Sequence, residues 1–261
     1  MSTEEFTIRL AEELRLFLPP RLRAAGRATA RADGVSSLGH LVEAAGVPLT
    51  EVGEIRVDGR PADTSYRPHG GETVEVSPVS RPQAVPGGEP RFLLDVHLGA
   101  LARRMRLVGL DTAYHNDRDD PALVEQANAE RRVLLTQDRG LLHRRSLWFG
   151  AFVRGSRADE QLGDVLDRFA VTGLRPWTRC TACNGLLRQA TKEEVAGRLP
   201  HGTRRTYDSF ARCTGCGRVY WHGAHSGRLD AIVEAAMARV GRGTAPPVQP
   251  SFRHTSAADT G

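Results

Sequence analysis

Two short apolar runs that each end close to an aspartate constrain the fold of this chain most strongly. The first run is Phe92–Leu94, which ends directly in Asp95, and the second is Val133–Thr136, which ends two residues before Asp138. Helix-like spacing of apolar residues separates the two runs, and such alternation is typical of a largely parallel sheet. Open sheets of this class build their sites at the C-terminal ends of strands. We therefore expect Asp95 and Asp138 to lie at the functional edge of an α/β domain.

The pattern around these runs predicts an α/β domain within a longer arrangement. The predicted helices lie at 97–108, 121–130, 140–142 and 162–169, and further strands lie at 111–114 and 148–153. The Pro- and Gly-rich segment Arg81–Pro90 is typical of a linker. The predicted domains are an N-terminal α+β domain at 4–80, the linker at 81–90, the α/β domain at 91–175, a cysteine-containing region with a terminal helix at 176–240, and a disordered Pro/Ser/Thr-rich tail at 241–261.

The N-terminal region shows the order strand, strand, helix, strand, strand. The predicted elements are strands at 6–10, 54–57 and 72–79 and a helix at 38–45, with residues 15–17 extending the first hairpin. Asp58-Gly59 is a hairpin turn signal. This order resembles the β-grasp, or ubiquitin-like, fold.

The small sulfur-carrier proteins of the β-grasp class act through a C-terminal Gly-Gly. In this chain Gly87-Gly88 is followed by Glu89 and the rest of the protein, so no carboxyl terminus is available there for activation. The sequence therefore favours a docking or structural module over a carrier.

The positive charge is concentrated after the N-terminal region. Residues 1–80 carry nine arginines and twelve acidic residues, whereas residues 81–261 carry 27 basic and 19 acidic residues. Lys192 is the only lysine, and arginine suits bidentate contact with phosphate. A polyanionic partner such as RNA is one explanation. A genome whose base composition replaces lysine by arginine throughout is the other.

All four cysteines stand in two CxxC pairs, Cys180/Cys183 and Cys213/Cys216. In a chain without a secretion signal this pattern indicates a metal site, and four thiolates complete the tetrahedral shell of a structural zinc ion. His222 and His225 are therefore predicted to be surface histidines outside that shell. Helices are predicted at 192–199 and 229–240. Two roles remain open for this cysteine-containing region. It only stabilises a small subdomain, or it also binds nucleic acid through its basic and aromatic residues.

The acidic residues indicate a second metal site. Mg²⁺ and Mn²⁺ prefer hard oxygen ligands, and Asp95, Asp138 and one of Asp119 and Asp120 would supply them. Capping is the alternative role, because Asp119 or Asp120 precedes a helix that begins at a proline and Asp138 precedes a short helix. The nearby candidates for phosphate contact are His97, Arg139 and Arg144.

Several function classes lack their required residues. A haloacid-dehalogenase-type phosphatase needs a second aspartate where His97 stands, and a receiver domain needs a lysine soon after a late strand. No phosphate-binding GxxxxGK[ST] or GxGxxG motif occurs. No apolar run approaches a membrane span, and the N-terminus does not look like a signal peptide. A cytoplasmic location is therefore the default expectation.

The motifs in combination resemble the Mut-seven C-terminal RNase family. They are the run RFLLDVHLGALARRMRLVGLDT, the pair Asp119-Asp120, the run LLTQDRGLL and the double CxxC that ends in CGRVYWHGAH. The resemblance implies a PIN-like nuclease domain with a zinc ribbon and an N-terminal ubiquitin-like domain. It also implies that Asp95 and Asp138 are the first and third acids of the site and that Asp119 or Asp120, with Glu125 as a substitute, is the second. Asp159 and Glu160 are the candidates left open for the fourth acid.

The resulting hypothesis is an Mg- or Mn-dependent ribonuclease that hydrolyses RNA phosphodiester bonds. In this hypothesis the ubiquitin-like domain docks an unknown protein partner or shields the basic face. Two alternatives remain from the sequence. One is a non-catalytic RNA-binding protein that works through the basic ribbon, and the other is a protein-interaction adaptor built on the β-grasp domain.

Overall fold

The computed structural model describes residues 5–223 and 226–241. His225 and residues 242–261, which form nearly all of the predicted tail, lie outside the described residues. Within the described ranges, none of the helices has the length and apolar composition needed to cross a membrane.

The chain divides into two compact units. Unit 1 contains the residues up to Gly88 together with Asp117–Arg154, and unit 2 contains Glu89–Asn116 together with the residues from Gly155 onward. The region predicted as one α/β domain therefore contributes segments to both units.

A five-stranded mixed sheet with one main helix forms the N-terminal part of unit 1. Its elements are β1 (Glu5–Leu10), α1 (Pro20–Arg23), β2 (Arg27–Arg31), α2 (Leu38–Ala44), β3 (Val52–Val57), β4 (Arg60–Ala62) and β5 (Thr73–Pro78). The strand order is β2-β1-β5-β3-β4, with β1 and β5 parallel and the other neighbours antiparallel. The predicted hairpin turn is present, since Asp58 and Gly59 join β3 to β4 with positive φ angles of 46° and 77°. The predicted β-grasp class is confirmed, with β4 as a short strand that the predicted order did not include.

The first hairpin of this domain differs from the prediction. Residues Glu12–Phe17 form a 3-10 helix, and the second strand is Arg27–Arg31. Leu14 and Phe17 both point into the core, and their spacing of three residues suits a 3-10 turn rather than a strand. The true second strand was missed because no residue of it is fully buried and its two inner positions, Ala28 and Ala30, are small, which leaves only a weak alternating apolar signal.

The α/β region begins after the linker. Its elements in chain order are β6 (Phe92–Leu94), α3 (Gly99–Leu107), β7 (Thr112–Tyr114), α4 (Asp120–Glu130), β8 (Val133–Thr136), α5 (Arg139–Leu142), β9 (Gly150–Phe152) and α6 (Ala158–Arg168). In unit 2, β6 and β7 pair in parallel, and in unit 1, β8 and β9 pair in parallel. Every residue of β6 and β8 is buried, as expected for parallel strands covered on both faces. The predicted α/β class with a parallel-sheet core is confirmed.

The cysteine-containing region of unit 2 is a three-stranded antiparallel sheet with short helices. Its elements are β10 (Leu187–Ala190), α7 (Lys192–Val195), α8 (His201–Thr206), β11 (Phe210–Cys213), β12 (Val219–Trp221) and the terminal helix α9 (Gly227–Val240). The order is β10-β11-β12, with a small core of Ala190, Val195 and Phe210. The helix predicted at 192–199 is α7 followed by a 3-10 turn, Ala196–Arg198. We call residues 176–223 the ribbon.

Within unit 1, the β-grasp domain packs against β9. The Phe152 N–H on β9 donates a hydrogen bond of 2.8 Å to Oε1 of the buried Glu51, and the Phe17 and Phe152 rings meet edge to face at 5.0 Å. A buried strand N–H requires a partner, and Glu51 of the β-grasp domain provides it. This contact makes the N-terminal domain an integral part of unit 1.

Candidate metal centre and acidic residues

The four cysteines converge on one point in the ribbon. Their sulfur atoms all lie within 4.8 Å of one another. The Cys180 and Cys216 sulfurs are 3.7 Å apart, and the Cys183 and Cys213 sulfurs are 3.4 Å apart. Four thiolates placed about 2.3 Å from one tetrahedral zinc ion would be about 3.8 Å from each other, whereas a disulfide would bring two sulfurs to about 2.05 Å. The arrangement fits a shared metal ion, and the CxxC prediction of one cluster is confirmed.

Each CxxC pair sits in a tight turn that ends in a left-handed residue. Asn184 follows the first pair with φ +70°, and Gly217 follows the second pair with φ +71°. In the second turn, the N–H groups of Gly215 and Cys216 point at the Cys213 sulfur at 3.3 and 3.4 Å. Gly185 is needed for close approach, since a Cβ there would lie 2.9 Å from that sulfur. The two turns therefore deliver four sulfurs without side-chain crowding.

Hydrogen bonds favour the ionised form of the buried Cys180 sulfur. Burial of Cys180 opposes its ionisation, but the Tyr220 hydroxyl and the backbone N–H groups of Cys183 and Ala182 outweigh that effect and lower the pKa of Cys180 to about 6. The Tyr220 oxygen lies 3.0 Å from the Cys180 sulfur, and burial together with this contact raises the pKa of Tyr220 to about 12. A hydroxyl that keeps its proton and donates it to sulfur favours the thiolate form that a metal ion requires.

A buried polar network fastens the first cysteine turn to β7 and α3 in unit 2. The Arg106 Nε donates to the Thr112 carbonyl at 2.8 Å, and its Nη1 donates to the carbonyls of Thr181 and Ala182 at 3.2 and 2.9 Å. Asn184 Oδ1 accepts from the Thr112 N–H at 3.0 Å. Local sequence carries no signal for this network, because Arg106 and Thr112 lie more than 70 residues from the cysteine turn that they contact.

Arg106→Met is expected to destabilise the ribbon. Arg106 is 3% exposed, and methionine fills the same space without the donors, so three carbonyls lose their partner. Unpaired buried groups of this kind cost about 2–3 kcal/mol of unfolding free energy in total. Urea unfolding followed by tryptophan fluorescence measures the loss. Arg103→Met is the matched control, because Arg103 lies exposed on the same helix. Equal unfolding midpoints for the two variants would contradict the anchoring role.

Asp95 occupies the predicted position at the C-terminal end of β6, in unit 2. Its side chain accepts a hydrogen bond from the Val96 N–H at 2.5 Å and so caps the 3-10 turn Val96–Leu98. The residue is 5% exposed. A carboxylate this deep needs partners or an ion that compensate for lost hydration.

The three other predicted acids lie in unit 1. Asp138 follows β8, and its carboxylate accepts from the Gly140 N–H at 2.7 Å as the cap of α5. Asp119 caps α4 by accepting from the Ala122 N–H at 3.0 Å. Asp120 lies 3.6 Å from Arg144. The capping roles that the sequence offered for Asp119 and Asp138 are therefore present, and a metal-binding role for these acids stays a prediction.

Among the residues that the structure describes, the cysteines form the one group of three or more such side chains with ligand atoms this close together. Asp119, Asp120 and Asp138 are thus not gathered into a comparable cluster. The candidates for the fourth acid have partners in unit 2, since Asp159 pairs with Arg104 and Glu160 forms the capping box of α6 with Arg157. Those contacts favour neither candidate as a metal ligand.

The candidates for phosphate contact have different surroundings. Arg139 donates to the carbonyls of Leu16 and Phe17 at 2.7 Å each and lies over the Phe17 ring. Its guanidinium is therefore committed to holding the β-grasp domain in unit 1. His97 is exposed, and Arg144 is about half exposed beside Asp120. Arg139 is the least available of the three for a phosphate, because its guanidinium is already bound to a carbonyl of Phe17, 122 residues earlier in the sequence.

The fold is therefore that of an α/β protein with an N-terminal β-grasp domain. Its four-cysteine cluster could bind a metal ion, and the acids that follow its parallel strands are candidate oxygen ligands. The model of the Mut7-C RNAse domain matches residues 90–233, and the model of the Mut7-C ubiquitin domain matches residues 3–84. The chain therefore belongs to the Mut7-C RNase family, as its motifs indicated. Searches of curated proteins and of solved structures found no match.

Proposed function

We propose that this protein is a metal-dependent ribonuclease. The observation that carries the proposal is the buried Asp95 at the end of the fully buried strand β6, in a chain of the Mut7-C RNase family. The uneven charge adds support, because residues 81–261 carry 27 basic and 19 acidic residues and would attract a polyanion.

The proposed oxygen ligands are Asp95 and Asp138, with Asp119 or Asp120 as the third. Carboxylates are the ligands that Mg²⁺ and Mn²⁺ prefer, so the donor set fits either ion. Such an ion, when bound, lowers the pKa of water and neutralises charge on a phosphodiester. The protein's own contribution is to fix the carboxylates, and the backbone N–H groups of Val96, Gly140 and Ala122 hold three of them by hydrogen bonds.

The cysteine cluster is proposed to hold a structural zinc ion. Four thiolates close the tetrahedral shell, so no position is left for substrate or water. Its role is to fold the ribbon, while catalysis is assigned to the carboxylates.

RNA cleavage in defined metal ions tests the ribonuclease proposal. The full-length protein, loaded with zinc, is incubated with end-labelled single-stranded RNA in Mn²⁺, Mg²⁺ or Ca²⁺. Cleavage is expected in Mn²⁺ or Mg²⁺. Calcium serves as the non-supporting condition in place of a chelator, because a chelator would also strip the cysteine site. The double variant Asp95→Asn/Asp138→Asn is expected to bind RNA and leave it uncut.

The matched control removes the same two charges elsewhere. Glu89 and Glu234 are exposed and lie outside the proposed ligand set, so Glu89→Gln/Glu234→Gln is expected to cleave as the wild type does. Cleavage that persists in the double aspartate variant would overturn the proposal. RNA binding without cleavage in any divalent ion would favour the non-catalytic alternative.

A further inference from the structure

A cavity of about 420 Å³ opens in unit 2 beside the cysteine cluster. Five of the residues that line it have aromatic rings, namely Trp177, Tyr207, Tyr220, Trp221 and His222, and Leu229 also lines it. Trp221 is 37% exposed and Leu229 is 41% exposed, so apolar surface at its edge faces solvent. Exposed aromatic surface around a concave site is characteristic of ligand recognition.

The aromatic rings are held in place by polar contacts behind them. The His222 ring contacts Asp230 Oδ1 through Nε2 at 2.9 Å and Ser226 Oγ through Nδ1 at 3.1 Å, and it meets the Trp177 ring edge to face at 6.0 Å. The Tyr220 hydroxyl is hydrogen-bonded to the Cys180 sulfur at 3.0 Å. His222 lies outside the cysteine cluster, as predicted, but it is a partly buried, hydrogen-bonded part of the cavity wall rather than an ordinary surface histidine.

Trp177 adopts a backbone conformation that is rare for a bulky residue. Its φ is +62°, and its N–H donates to the Leu107 carbonyl at 3.0 Å, which holds the left-handed turn in place. Strained backbone of this kind concentrates at binding sites, where it fixes a side chain in a particular direction. Here the strain aims an indole into the cavity wall.

Two arginines lie beside the cavity. Arg204 and Arg205 belong to α8, between Thr203 and Tyr207, which both line the cavity. Both arginines are exposed and therefore accessible to a ligand. A ligand with an aromatic group and nearby negative charges would complement both the rings and the arginines.

We propose that this cavity seats one unstacked base of single-stranded RNA, with the arginines contacting the flanking phosphates. The inference rests on RNA as the substrate of the proposed function, but it does not depend on cleavage. Single-stranded nucleic acid combines these two chemical features, and proteins bind it by stacking bases on aromatic side chains in basic grooves. A duplex is excluded because its bases remain stacked inside the helix.

Binding measured in Ca²⁺, without cleavage, tests the inference. Fluorescence polarisation compares a single-stranded RNA with a duplex of equal length. Trp221→Ala is expected to weaken single-strand binding about ten-fold, the usual effect of losing one stacking partner. Its binding to the duplex is expected to stay unchanged. Leu229→Ala and Leu186→Ala form a matched pair of exposed leucines, 41% and 56% exposed, of which only Leu229 lines the cavity. Only Leu229→Ala is expected to weaken binding.

A crosslinking experiment on the unaltered protein gives a second, site-resolved measurement. Thiouridine-containing RNA is irradiated in the complex, and the crosslinked peptides are identified by mass spectrometry. Crosslinks at Trp221 or Tyr207 support the inference. Crosslinks confined to other regions, or a Trp221→Ala variant that keeps its zinc and binds single strands like the wild type, would overturn it.

The outcomes separate this inference from the ribonuclease proposal. Cleavage in Mn²⁺ together with unchanged binding by Trp221→Ala would sink the base-binding cavity and leave the nuclease standing. Single-strand binding that Trp221→Ala weakens, without cleavage in any metal ion, would overturn the ribonuclease proposal and leave the base-binding cavity standing. An absence of RNA binding by the wild type would overturn both.

Discussion

Replacing Cys213 by serine is expected to abolish metal binding and to unfold the ribbon. Cys213 ends the central strand β11, is buried, and lies 3.4 Å from the Cys183 sulfur. The apolar core of the ribbon consists of only three buried residues with a few partly buried neighbours, which is too little to stabilise a small subdomain alone. Structural zinc contributes about 10–16 kcal/mol in small zinc-dependent domains, so its loss removes the main source of stability.

Zinc content and limited proteolysis measure this effect together. The wild type is expected to hold one zinc ion per chain and to resist cleavage within the ribbon. The Cys213→Ser variant is expected to hold none and to be cut between β10 and β12. Thr214→Ala is the control, because Thr214 lies in the same turn and loses only one exposed hydrogen bond, to the Leu186 carbonyl, worth about 1 kcal/mol.

A protease-resistant ribbon in a zinc-free wild type would show that the cysteines fold without a metal ion. Loss of the metal ion is also expected to disturb the aromatic cavity, because Tyr220 forms part of its wall and is hydrogen-bonded to Cys180. Metal loss is therefore expected to reduce single-strand RNA binding to the level of Trp221→Ala.

Features that depend on local sequence were predictable. The strands β6 and β8 are uninterrupted apolar runs because both of their faces are covered, and that burial leaves a direct trace in the sequence. The CxxC turns carry their own signal, since two residues between cysteines suffice to bring two sulfurs to one ion. A cap at Asp119 or Asp120 was predictable because a proline follows at the start of α4, and the structure identifies Asp119 as that cap.

Features that depend on distant contacts were not predictable. Arg106 looks like a surface arginine among other arginines of α3, and only the folded chain places the carbonyls of Thr181 and Ala182 against it. The aromatic cavity draws Trp177, Tyr207 and Trp221 from separate elements with no shared periodicity. The 3-10 turn at Glu12–Phe17 was missed because the predicted strand extension, residues 15–17, is too short for its apolar pattern to distinguish a strand from a 3-10 turn.

Single Asp→Asn substitutions are expected to separate the chemical role of the acids from their structural role. The carboxylates of Asp95, Asp119 and Asp138 each accept a backbone N–H at the start of a helix, and asparagine caps helices about as well as aspartate. The fold should therefore persist while the negative charge is lost. Cleavage in Mn²⁺ is expected to fall about 1,000-fold for Asp95→Asn and for Asp138→Asn, which corresponds to about 4 kcal/mol of transition-state stabilisation.

The same series identifies the second acid. Asp119→Asn keeps the cap of α4, so a large loss of cleavage would assign Asp119 a role in catalysis, whereas wild-type cleavage would leave it a capping residue. Asp120→Asn is compared directly with it, because Asp120 pairs with Arg144 and does not cap. Glu125→Gln tests the substitute position on the same helix. Melting temperatures are recorded for every variant, and those of the Asp95, Asp119 and Asp138 variants are expected to stay close to the wild-type value because asparagine preserves each cap. An Asp95→Asn variant that cleaves RNA at the wild-type rate would remove Asp95 from the catalytic set. A variant whose loss of cleavage is accompanied by a clear drop in melting temperature would show that the carboxylate acts through the fold.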